Sequence, residues 1–299
     1  MTQDLYPTRS ASQTSFIDRV DPCVHGGTAF HGSTGDGPLS AADLAGFDAN
    51  GFHAFDQLID PGEVEDYRAE LRRLSSDEAL RSDERTIIEP RSQEVRSIFE
   101  VHKVSEVFAA LLADPRVVGP ARQILGSDVY IHQSRVNFKP GFAGNTFYWH
   151  SDFETWHAED GMPRMRAVSM SIGLTENLDS NGPLMIMPGS HKTFVSCPGE
   201  TPEDHYKHSL RSQEIGTPDD ESLRVLANKH GIVQFTGPAG SATLFDCNCM
   251  HGSNSNITPF PRSNVFVVFN SVENTLVEPF GARSRRPEFI AARDFTPVR

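Results

Sequence analysis

Two imidazoles and one carboxylate are the side chains whose types and spacing best suit chemistry. His150 and Asp152 stand one residue apart in the run Phe147-Tyr148-Trp149-His150-Ser151-Asp152-Phe153-Glu154-Thr155-Trp156-His157. A pair so spaced can reach one divalent ion. His251 follows about a hundred residues later, directly after an apolar, strand-like run. Two His and one carboxylate on one side of a metal leave the other side open, the arrangement used by non-haem Fe(II) oxygenases. Competing ligand sets exist. His157-x-Glu159 repeats the spacing, His191 follows a Pro-Gly-Ser turn, and His230 sits in a Lys-His-Gly loop. If residues 242–250 form one strand, Cys247, Cys249 and His251 share a face, which leaves a Cys-x-Cys-x-His zinc knot open. Neither Cys23 nor Cys197 supplies the second pair that such a site normally uses. What favours His150 is its place at the end of an aromatic strand, a rigid base for ligands.

A co-substrate with two carboxylates would need a fixed cation. Arg262 lies eleven residues after His251, at the start of a strand-like run, and its planar fork can hold a carboxylate bidentately. Ser253 can add a hydroxyl. A solvated arginine at a strand start has the same sequence, so the pattern alone leaves both readings standing.

The elements around these residues fall into two halves. Ser40 is a helix cap for residues 41–47, and apolar residues recur at helical spacing over 63–74, 104–112 and 116–125, the last ended by Gly126. From Val129 the period changes to two, and Gln133, Arg135, Asn137 and Lys139 share one face of a strand over 129–139. That polar row fits a solvent-facing side as well as a cavity wall. Further strands are expected over 146–149, 166–175, 184–187, 231–236, 242–250 and 264–270, and a surface excursion over 196–222 is long enough for a lid. Helices followed by many short strands with Gly/Pro turns predict a mainly β protein, a sandwich or barrel with helices packed outside. Residues 1–40, rich in Ser, Thr, Gly and Asp, read as an irregular arm, and 41–299 as one domain.

Composition removes several classes. With 27 Lys+Arg against 40 Asp+Glu the net charge is -13, the wrong sign for a nucleic-acid or anionic-membrane surface. No apolar run is long enough for a transmembrane helix, and the first residues lack a signal-peptide pattern, so a cytoplasmic location is expected. Four cysteines in 299 residues make no disulfide framework, and reduced thiols are expected.

Together the helical opening, Asp114-Pro115, Leu125-Gly126, the His-x-Asp pair, Pro188-Gly189-Ser190-His191 and the late His251 with Arg262 resemble the phytanoyl-CoA dioxygenase-like superfamily of Fe(II)/2-oxoglutarate oxygenases. Within it, the whole run from Phe147 to Met162-Pro163 resembles the signature of the ectoine hydroxylases. The resemblance covers most of the chain beyond the N-terminal arm. It implies a double-stranded β-helix (jelly-roll) core around one Fe(II), in a cytoplasmic homodimer that hydroxylates L-ectoine to 5-hydroxyectoine. 2-Oxoglutarate and O2 would be co-substrates, giving succinate and CO2. By motif position it implies His150, Asp152 and His251 as iron ligands, and Lys139, Arg262 and Ser253 at 2-oxoglutarate. It also implies Gln133, Trp156, Phe269 and Arg286 at ectoine. Related halogenases lack the carboxylate, so Asp152 points to hydroxylation. Other readings of the same residues are an oxygenase for another small zwitterion or amino acid, a zinc hydrolase, and a non-catalytic barrel.

Overall fold

The computed structural model describes residues 3–9, 13–25, 37–89, 93–142, 144, 146–209 and 215–299. Gly26-Gly27 and Gly35-Asp36 of the arm, and 210–214 of the expected excursion, lie outside them.

The N-terminal part is less irregular than its composition suggests. Strand β1 (Ser15–Asp18) pairs antiparallel with a late strand, and Tyr6, Thr8 and Arg9 are buried. The first helix, α1 (Ala41–Asn50), starts at a reciprocal Ser40–Asp43 capping box and ends at Gly51, whose φ of 84° few other residues adopt. Strand β2 (Phe52–Phe55) follows, then α2 (Pro61–Ser76), capped by Asp60, and the short α3 (Glu78–Arg81). Strands β3 (Thr86–Ile88) and β4 (Val95–Phe99) precede α4 (Val101–Val104), α5 (Glu106–Ala113) and α6 (Pro115–Leu125). The helical half therefore contains strands β2, β3 and β4, which the sequence reading missed. They are short and lack a clear two-residue alternation.

The strand half comprises β5 (Val129–Lys139), β6 (Phe147–His150), α7 (Asp152–Thr155) with a π-turn (Trp156–Asp160), β7 (Ala167–Gly173) and β8 (Leu184–Ile186). It continues with β9 (Thr193–Ser196), α8 (Tyr206–Ser209), α9 (Asp220–His230) and β10 (Val233–Gln234). Last come β11 (Ala242–Asp246), β12 (His251–Ser253) and β13 (Arg262–Ser271). The expected strand over 242–250 stops at Asp246, and a turn carries Cys247 to Cys249. The parity that would put both cysteines beside His251 is thereby lost.

A seven-stranded sheet, β2-β11-β7-β13-β5-β4-β3, faces a four-stranded sheet, β10-β8-β12-β6. Residues of both sheets line the cavity between them, the arrangement of a jelly roll with flanking helices. The outer face of the large sheet carries Val136, Val168, Met170, Ile172, Val265 and Val267. These merge with helix residues such as Leu71, Phe108, Leu112 and Ile124 into the main apolar core. Alternate residues of the same strands face inward.

One irregularity matters for the site. Along β13 the register on β5 slips between Val268, opposite Gln133, and Phe269, opposite Ile131, so His132 is an extra residue on β5. A bulge of this kind lets neighbours on one strand point the same way. His132 reaches within 3.4 Å of Asp160, while Gln133 lines the cavity.

Candidate metal centre

The two imidazoles come from paired strands. His150 at the end of β6 lies directly opposite His251 at the start of β12, with ring centroids 4.3 Å apart. Asp152 opens α7 immediately after the β6 strand. Its Oδ1 lies 3.6 Å from His150 Nε2 and 3.9 Å from His251 Nε2. One ligand atom from each of the three residues falls within 4.8 Å of the other two.

The surrounding bonds prepare each donor atom for an ion. His150 Nδ1 is 2.6 Å from the Tyr148 carbonyl and His251 Nδ1 is 3.0 Å from the Cys249 carbonyl. Protons on both Nδ1 atoms leave the two Nε2 lone pairs facing the shared point. Ser169 donates to Asp152 Oδ2 at 3.2 Å, which leaves Oδ1 for the metal. Burial and the His150 ring push the His251 imidazole down to about 4, so it is neutral at neutral pH. Burial alone would raise Asp152, but His251, His150 and Arg135 hold it well below the carboxylate range. A ligand-competent carboxylate between two imidazoles, with the fourth side open to a cavity, suits Fe(II).

The rival ligands go elsewhere. His157 bonds the Met162 carbonyl and Asp4 and stacks on Phe280, so His157-x-Glu159 is no second ligand pair. His191 bonds the Asp48 carbonyl, and Cys249 Sγ bonds the Gly51 carbonyl. Each is spent on packing.

From the centre the cavity runs two ways. One arm is lined by Arg96, Arg135, Lys139, Arg262, Ser253 and Asn264, and no described residue of its wall is an acid. Lys139 Nζ donates to Ser253 Oγ at 2.8 Å and to the Asn254 carbonyl at 2.6 Å. Burial, then Arg262 and Arg96, pushes the amine down to about 6. Burial likewise pushes Arg262 down to about 10, and its Nε meets no partner among the described residues. A buried cation without a counter-ion is costly unless a ligand supplies the charge. This arm fits the distal carboxylate of 2-oxoglutarate.

The other arm is lined by Gln133, Arg135, Trp156, Glu159, His205 and Arg286, among others. Gln133 Nε2 donates to the Ile290 carbonyl at 2.7 Å. The Trp156 indole meets the His132 ring edge-on, with centroids 5.2 Å apart. Arg286 grips Asp160 with two bonds, Nε to Oδ1 at 2.7 Å and Nη2 to Oδ2 at 2.5 Å. Of the residues the resemblance implied, the structure brings Lys139, Arg262, Ser253, Gln133, Trp156 and Arg286 to the cavity wall. It does not bring Phe269. By strand alternation that ring belongs to the outer face of β13, and it sits in the core under the helices. Phe266, on the inner face, lines the cavity instead.

Arg135 is the residue that sequence reasoning passed over. It lines both arms, with its guanidinium 4.7 Å above Phe266 and 5.7 Å above Phe99, and burial pushes it down to about 10. Its place in the polar row of β5 was the available signal.

The Phytanoyl-CoA dioxygenase (PhyH) sequence pattern matches residues 47–264. The chain belongs to the phytanoyl-CoA dioxygenase family. Within this family it is 66% identical to the ectoine dioxygenase of Streptomyces coelicolor, over 99% of this chain and 97% of that one. It is 58% identical to the ectoine dioxygenase of Nocardia farcinica, over 99% and 95%. The crystal structure of EctD from S. alaskensis with 2-oxoglutarate and 5-hydroxyectoine superposes with a TM-score of 0.88, at 48% identity over 99% and 97% of the two chains. The epimerase SnoN from nogalamycin biosynthesis, at 19% identity and TM-score 0.61 over 86% and 92%, shares the fold.

Proposed function

We propose that this protein is an Fe(II)- and 2-oxoglutarate-dependent dioxygenase that hydroxylates L-ectoine to 5-hydroxyectoine, consuming O2 and releasing succinate and CO2. The observation that carries this reading is the cluster of His150, Asp152 and His251 at the junction of two cavity arms, one lined by cations and one of mixed charge. Its likeness to ectoine dioxygenases of 58–66% identity supports the choice of substrate. Iron at the cluster, with 2-oxoglutarate and O2, supplies the oxidant for C–H hydroxylation.

The chain's own residues supply position and dryness. Arg262 and Lys139 take the distal carboxylate of 2-oxoglutarate, with Ser253 bonded to the lysine. In the other arm the Trp156 face attracts the delocalised amidinium of ectoine, an interaction of about 0.5–2 kcal/mol. Gln133, its amide NH2 already held by the backbone, offers its carbonyl oxygen to the ring. Arg286 receives the substrate carboxylate. By the same resemblance the enzyme works as a cytoplasmic homodimer, with 41–299 as its catalytic domain. No helix among the described residues is long and apolar enough to cross a membrane.

The test is anaerobic reconstitution with Fe(II), addition of 2-oxoglutarate and O2, and mass spectrometry of the solute. Ectoine should gain one oxygen atom, with succinate formed in equal amount. Turnover of proline or a related solute in preference to ectoine would reassign the substrate. Activity that persists without O2 and 2-oxoglutarate would replace oxygenation by hydrolysis.

A further inference from the structure

The N-terminal arm places one residue where nothing in the iron chemistry requires it. Arg9 is buried, with a side chain wholly screened from solvent, and its φ of 55° is unusual for a residue with a Cβ. Its guanidinium serves two acids of the segment that follows Asp152. Nε and Nη2 hold the two oxygens of Glu154 at 3.0 and 2.7 Å, and Nη1 pairs with Glu159 Oε1. Thr8 adds a bond to Glu154 Oε1 at 2.7 Å, and Arg9 N donates to the Cys197 carbonyl at 2.8 Å. Gly216 closes over the pair so tightly that a Cβ there would lie 2.5 Å from both Arg9 Nη2 and Glu154 Oε2. A backbone in a sparsely populated conformation, sealed over a buried ion pair, marks a position held by its surroundings.

Glu159 connects this latch to the substrate arm. Its second oxygen, Oε2, lies 3.9 Å from Arg286 Nε, while Arg286 is committed bidentately to Asp160. Glu159 and Arg286 both line the substrate arm. Arg286 makes its bonds to Asp160 through Nε and Nη2. Two guanidinium groups thus face three carboxylates, with Arg9 occupying Glu154 and half of Glu159. Without Arg9, the nearest remaining cation for the buried Glu159 is Arg286, and a buried carboxylate does not stay unpaired when one lies within reach.

We infer that Arg9 is a positioning residue for the substrate arm: by holding Glu159 it keeps a second carboxylate from closing on Arg286 beside Asp160, so that the remaining N–H groups of Arg286 can receive a carboxylate from the ligand. The inference rests on the proposed ectoine reading. It assigns to the arm a role in recognition that its composition does not suggest.

The test uses the full-length, iron-loaded enzyme and three variants, Arg9→Gln, Arg9→Lys and the double variant Arg9→Gln/Glu159→Gln. Arg9→Gln should raise KM for ectoine about tenfold or more, the loss of a charge-assisted contact, with KM for 2-oxoglutarate unchanged. Arg9→Lys should recover part of the loss. Neutralising Glu159 in the Arg9→Gln background should recover more, because an amide does not compete for Arg286. An unchanged KM for ectoine in Arg9→Gln overturns the inference. A parallel fall in kcat, ectoine affinity and melting temperature that Glu159→Gln does not repair also overturns it, in favour of a fold-only role. If the wild-type enzyme does not turn over ectoine, the functional reading fails instead, a result visible before any variant is made.

Discussion

The cavity arm that ends at Arg262 and the arm that ends at Arg286 are both lined from strand β5, yet they treat charge in opposite ways. The first gathers cations and offers them no carboxylate from its described wall. The second pairs its guanidinium group with Asp160 and adds Glu159 beside it. An arm with an excess of positive charge, Arg96 alone being paired with Glu89, is a socket for a dianion, bound chiefly by charge and bidentate geometry. An arm whose charges, the shared Arg135 apart, are paired within its wall selects by shape, an aromatic face and what little charge is left over. Substitutions in the first should therefore show as losses of affinity for 2-oxoglutarate, and in the second as losses of discrimination.

The largest effect belongs to the point where the arms meet. Asp152→Ala should abolish hydroxylation and weaken Fe(II) binding, measured by metal content after dialysis and by product formation. A variant with full turnover would remove Asp152 from the metal. Next, Arg262→Ala should weaken 2-oxoglutarate by about 1.5–3 kcal/mol, or roughly tenfold to a hundredfold, while KM for ectoine moves little. Arg262→Lys should rescue poorly, since an ammonium cannot reproduce the fork. Equal shifts for both substrates would erase the division between the arms. A smaller change is expected for Trp156→Leu, about 0.5–2 kcal/mol in ectoine binding and none in 2-oxoglutarate binding, read by titration calorimetry.

The last effect is a pH slope, read on stability and not on turnover. Lys139 is pushed down to about 6 in the folded protein against an ordinary value of 10.5, so above pH 6 the unfolded chain binds a proton that the folded chain does not. Stability of the ligand-free protein should then rise with pH between about 6 and 8, by up to about 1.4 kcal/mol per unit from this group. Denaturant midpoints of the wild type and Lys139→Met should differ in slope over that range. Parallel slopes would mean that the amine keeps its charge in the first arm.

Much of this was legible in the sequence, and the limits have physical causes. The triad was legible because a His-x-Asp pair beside a strand end, with a late His, restricts the possible ligands to few. The face of β5 from Gln133 to Lys139 followed from a period of two. The turn after Asp246 was missed, although Asp246 and Asn248 are turn formers and the Asp246 carboxylate accepts from Asn248 N, because their alternation with Cys247, Cys249 and Met250 also reads as a strand. Phe269 was misplaced for a related reason: motif position says which residue stands in a strand, not which face it takes once neighbouring strands are aligned. Arg9 could not be found at all. Its partners lie about 145 and 150 residues away, and no local pattern announces an ion pair that only the folded chain assembles.

The extra residue at His132 sets how tightly the cavity is framed. A strand that dealt its side chains strictly left and right could give the interior either His132 or Gln133, and so either a neighbour for Asp160 and Trp156 or an amide in the cavity wall. The added residue supplies both from adjacent positions. Removing it would exchange inside for outside along Val129–Ile131, driving Tyr130 out toward the helices and hydrocarbon into the polar chamber. Length at this spot is therefore fixed more strictly than residue identity, and a shortened chain would fail there before it lost a single iron ligand.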